Sequence, residues 1–72
     1  MEQEILRKKS RYFFDKKIPI HIKRDDGRFF NGLILETEGD LIILDDEVLG
    51  PMPIYFLEIT LLEKREEKPH GD

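Results

Sequence analysis

The chain has 72 residues, with 12 Lys/Arg against 16 Asp/Glu, a net charge of −4 and no cysteine. That length makes one small domain which leaves much of its apolar surface near water, and the lack of cysteine excludes disulfide staples and thiolate-held metals. The charge is lopsided: residues 1–28 carry nine Lys/Arg and five Asp/Glu (+4), and residues 29–72 carry three and eleven (−8); a basic half can face phosphates, but an acidic total argues against strong general nucleic-acid binding.

The chain opens Met1-Glu2-Gln3-Glu4, too acidic for a signal peptide and with no apolar stretch behind it. No apolar run in the sequence approaches the roughly 20 residues needed to span a bilayer, so a soluble, cytoplasmic protein is expected. Residues 2–15 predict a helix. Glu2 and Glu4 lie in the first turn, where the helix dipole favours negative charge, and Arg7, Lys8, Lys9 and Arg11 follow. Ile5, Lys9, Tyr12 and Phe13 recur at helical spacing, and Leu6 and Phe14 widen the stripe. The expectation is a helix capping one end of the fold with its basic side solvated. A helix that grips phosphate is the weaker reading, since charge runs on helices usually keep a surface wet.

Strands are expected over 18–62. Ile18, Ile20 and Ile22 alternate with Pro19, His21 and Lys23, the period of a half-buried strand, with Pro19 at an edge or a strand start. Asp25-Asp26-Gly27 predicts a hairpin turn in which Gly27 supplies a positive φ. A second strand over 28–37 carries Phe29, Phe30, Leu33, Ile34 and Leu35, and Gly32 inside it marks a bend or a close backbone approach. Leu41 to Leu44 predicts a third strand, Val48 to Pro53 a loop, and Ile54-Tyr55-Phe56 and Ile59 to Leu62 two short strands with Leu57-Glu58 as a tight connection. Residues 1–63 thus form the domain, and 64–72, charged and apolar-poor, a flexible tail.

A helix followed by five short strands, the second kinked at glycine, predicts an all-β fold: a small, strongly bent five-stranded SH3-like barrel with an N-terminal helix. Strands 2 and 3 are apolar on both faces, more than one interior absorbs, so the helix or a neighbouring subunit must cover the rest. A closed ring would also pair the exposed strand edges.

The pattern resembles the Sm-like (LSm) family. The first half of that family's bipartite motif is matched by Ile20, Ile22, Asp26-Gly27, Phe30, Gly32 and Ile34, then by Ile42, Leu44 and Asp45; the second half is matched by Ile54 to Ile59. The resemblance covers roughly residues 2–62 of the sequence. It implies a homo-oligomeric ring of about five to seven subunits, with Ile54, Phe56, Ile59 and Leu61 at the subunit interface, and single-stranded RNA bound in RNA processing or regulation, as in a ribonucleoprotein. Two departures stand against the RNA expectation. Glu38-Gly39-Asp40 is shorter than the family's uridine-holding loop and lacks its Asn and its ring, and Tyr55-Phe56 replaces the family's Arg-Gly pair. Tyr55 could stack on a base in place of that Arg, flanked by Lys23, Arg24 and Arg28 and by Glu38 and Asp40 of the short loop. The alternative reading is packing of Tyr55 and Phe56 in a subunit interface, with a structural or adaptor oligomer that acts through protein contacts.

Catalysis is not expected. Ser10 is the only serine and lies on a charged helix far from His21; the acid pairs Asp25-Asp26 and Asp45-Asp46 fall at turns; no glycine-rich phosphate loop is present. His21 and His70 lack ligand spacing, so no metal or cofactor is expected.

Overall fold

A computed structural model describes residues 3–66 as one helix and five strands. The tail expected over 64–72 lies outside the described residues from position 67 onward, and Lys64 belongs to the last strand. Helix α1 spans Gln3–Lys16 and ends where Lys17 turns to a φ of 55°. The strands are β1 (Ile20–Arg24), β2 (Phe29–Glu38), β3 (Leu41–Asp46), β4 (Gly50–Tyr55) and β5 (Ile59–Lys64), with a 3-10 turn, Phe56–Glu58, between the last two.

All pairings are antiparallel, in the order β4-β3-β2-β1-β5. The 3-10 turn therefore links opposite edges of the sheet. From Tyr55 to Ile59 the chain reaches at most about 14 Å, whereas a flat five-stranded sheet is about 19 Å across. The sheet must curl, and it does: Arg65 beyond β5 pairs with Glu47 beyond β3, and the Asp25 N–H donates to the Glu58 carbonyl at 2.7 Å. Gly32 permits the bend, since a Cβ there would collide with the Asp45 carbonyl, and a bulge between Ile34 and Glu36 adds to it. The core fills the concave side: Ile20, Ile22, Phe30, Ile34, Ile42, Leu44, Ile54, Phe56, Ile59 and Leu62, sealed by Leu6 and Phe13 of α1.

The structure corrects several expectations. The buried stripe of α1 is Leu6, Ser10 and Phe13, while Ile5 and Tyr12 are exposed. Val48 to Pro53 is not all loop: β4 begins at Gly50, and Phe56 opens a 3-10 turn instead of ending a strand. Ile54, Phe56 and Ile59 are buried in the chain's own core, which leaves their side chains no surface for a neighbour. Leu61 is half-buried, opposite Lys23.

The sheet also stays open, with β4 and β5 as its two edges. The Phe56 N–H donates to the Asp40 carbonyl, so in this register the even residues of β4 bond β3 and the odd ones face outward. The odd ones are Pro51 and Pro53, which have no N–H, and Tyr55, whose N–H donates to Glu58 Oε1 at 3.2 Å. This edge has carbonyls to offer and no amide donors.

Candidate nucleic-acid interface

Ile20 and Ile22 turn into the core, so His21 and Lys23 take the convex face of β1. The hairpin register sets His21 opposite Asn31 and Lys23 opposite Phe29. His21 Nδ1 lies 2.7 Å from Asn31 Oδ1; with that oxygen as acceptor the imidazole donates from Nδ1. The imidazole stacks on Phe29 at 4.9 Å between centroids and 12° between planes, across the diagonal of the pair. Lys23 Nζ sits 5.5 Å from the Phe29 centroid. Phe29 is nonetheless 53% exposed, a ring held by His21 and Lys23 that still meets solvent.

Beside this platform the hairpin turn is tied by Asp26, whose carboxylate accepts from Arg24 Nη2 at 2.6 Å, Arg24 Nε at 3.2 Å and the Arg28 N–H at 3.0 Å. The Arg24 bond first, then the Arg28 amide, hold Asp26 below the usual carboxylate range, and the same bond raises Arg24. Arg24 also lies over Phe30 at 5.0 Å. Its guanidinium is held within the hairpin by Asp26 and Phe30. Arg28 instead lines an open groove with Phe29, Asn31, Val48 and Leu49. The floor of that groove is organised by Asp46, which accepts from the N–H groups of Asn31 (3.0 Å), Val48 and Leu49 (both 2.9 Å). Burial pushes the Asp46 carboxyl up, but its amide donors together outweigh that and hold it below the ordinary value.

Glu38, Asp40 and Tyr55 gather at the other end of β2, where Tyr55 pairs with Leu41 and is 46% exposed. Glu58 bridges the two ends, accepting from Asp25 through its carbonyl and from Tyr55 through its side chain. The helix reaches the same turn: Arg7 Nη1 donates to the Gly39 carbonyl at 2.5 Å and lies over Phe56 at 5.6 Å, and Arg11 Nη1 is 3.4 Å from Thr37 Oγ1. Arg7, Lys8 and Arg11 thereby line a groove with Glu38 and Phe56.

The residues expected to bind RNA thus divide into two groups: Lys23 and Arg28 beside Phe29, and Tyr55 with Glu38 and Asp40 beside the helix arginines. Phe29 and Asn31 were not among them, and Arg7 and Arg11 entered only through the weaker, phosphate-gripping reading of the helix. Phe29 and Asn31 follow from counting outward from the Asp26-Gly27 turn, which pairs them with Lys23 and His21. Among the described residues, no cluster of three or more His, Cys, Asp or Glu gathers as a metal site would, and no helix is long and apolar enough to cross a membrane. No protein-family model matches this chain, and no curated protein does.

Proposed function

We propose that this chain is a non-enzymatic, cytoplasmic Sm-like protein that assembles into a head-to-tail ring and binds single-stranded RNA on its convex face. The observation that carries the reading is Phe29, half exposed and held rigid by His21, with Lys23 beside it and Arg28 along the adjoining groove. A fixed aromatic face among cations is the arrangement on which unpaired bases stack without strict sequence preference. The curled open sheet and the backbone contact at Gly32 support the Sm-like resemblance. Assembly rests on the unclosed edges β4 and β5, and head-to-tail contacts close into rings when the rotation permits.

The test is fluorescence anisotropy with labelled oligouridine and oligoadenosine at low salt. Affinity is expected to fall linearly on a log–log scale with added salt. Phe29→Ala is expected to weaken binding about tenfold, and Lys23→Ala to reduce the salt slope by about one. A folded oligomer that ignores both RNAs would sink the RNA reading and favour the adaptor reading. Exposed Leu33, Leu35, Val48 and Leu49, on the acidic half of the chain, are the observation that favours that second reading.

A further inference from the structure

The two open edges of the sheet do not carry the same chemistry. At β4 the outward positions are Pro51, Pro53 and Tyr55, which present carbonyls and no available N–H. At β5 the Arg65 N–H donates to the Pro19 carbonyl, so in this register Glu63 and Leu61 face β1 while Leu62 and Lys64 face outward. The outward carbonyl of Leu62 is already occupied: Lys9 Nζ, reaching over from α1, donates to it at 2.7 Å.

These facts fit together. Two copies of β4 laid edge to edge would set carbonyl against carbonyl, so a two-fold pairing through this edge has no hydrogen bonds to form. A β5 edge laid against β4 can donate from the Leu62 and Lys64 amides to the carbonyls of β4. In an ordinary antiparallel ladder each such residue also accepts a bond in return. A proline cannot return it, and the Leu62 carbonyl would be buried without a donor, which costs more than the bond itself contributes. Lys9 supplies that missing donor from within its own subunit.

Resting on the proposed ring, we infer that Lys9 is a specificity-determining interface residue. It completes the β5 edge so that this edge, and not a second β4, is the partner of the proline-blocked β4 edge of the next copy. The helix thereby helps to choose the direction of assembly as well as covering the core.

Sedimentation velocity over a concentration series tests this on wild type, Lys9→Met, Lys9→Gln, and Lys9→Met combined with Pro51→Val and Pro53→Val. Melting of each variant by circular dichroism first establishes that it is folded. Lys9→Met is expected to raise the subunit dissociation constant about tenfold, the loss of one charge-assisted hydrogen bond. Lys9→Gln, which keeps an N–H donor, is expected to assemble close to wild type. The valines restore an amide to the β4 edge and are expected to recover the wild-type oligomer mass in the Lys9→Met background, a mass that a two-fold β4–β4 dimer does not reach. Wild type that stays monomeric throughout the series would overturn the ring itself. Wild type that assembles while Lys9→Met assembles equally well, or fails to recover with the valines, would overturn the role of Lys9 and leave the ring standing.

Discussion

Asp46 shows how much one carboxylate can organise in so small a fold. It is 7% exposed and ties the start of β2 to the turn after β3 by accepting three main-chain N–H bonds. Asp46→Ala strands those donors and is expected to cost about 2 kcal/mol, read from urea unfolding at neutral pH. The pH dependence follows from the direction of its shift. A carboxyl held below its unfolded value contributes fully above roughly pH 4 and loses that contribution as pH falls through the folded value. The stability gap between wild type and Asp46→Ala should therefore narrow on acidification, and a gap that widens would contradict the assignment. Gly32 is the second position without slack: Gly32→Ala drives a methyl group into the Asp45 carbonyl and is expected to cost about 3 kcal/mol by thermal melting.

At the scale of elements, α1 is held by what it buries. Leu6 is fully buried in the shared core, and Leu6→Ala is expected to cost about 3 kcal/mol by denaturant unfolding. One helical turn further on, the Ser10 hydroxyl is equally buried and has no hydrogen-bond partner among the described residues. Ser10→Ala should accordingly stabilise the fold by about 0.5–1 kcal/mol, and a loss of stability would mean that the hydroxyl has a partner. The same helix marks a limit of reading from sequence. Periodicity favoured Ile5 and Tyr12, but the contact face runs through a serine, which carries no apolar signal. The first part of β4, Gly50 to Pro53, was missed for a related reason. Gly50-Pro51-Met52-Pro53 reads as loop chemistry until the register places both proline nitrogens on the unpaired side, where they cost the sheet nothing. By contrast the turn and the inward-facing residues of the first hairpin were legible, although β1 begins at Ile20 and not at Ile18, because alternation and an Asp-Gly turn are local properties.

On the scale of the whole molecule, legibility followed the distance in sequence over which partners meet. Lys23 and Arg28 were recognised as neighbours because one tight turn joins them. Phe29 as a platform needed the strand register, and the contacts of Arg24 with Asp26 and Phe30 needed the folded hairpin. Ile54, Phe56 and Ile59, expected at a subunit interface, have their side chains in the chain's own core because the sheet curls far enough to bury them.

The strand order also has a consequence for how the chain comes to be folded. β1 through β4 form a meander in which each strand meets the one before it, so they can pair in the order in which they are synthesised. β1 has its second neighbour in β5, the last strand of all, with Ile20 set against Lys64. Until β5 arrives, one flank of the first strand has no partner and Ile59 and Leu62 are missing from the interior. Closing that longest loop is the step that carries the largest entropic cost, and it should set the pace of folding.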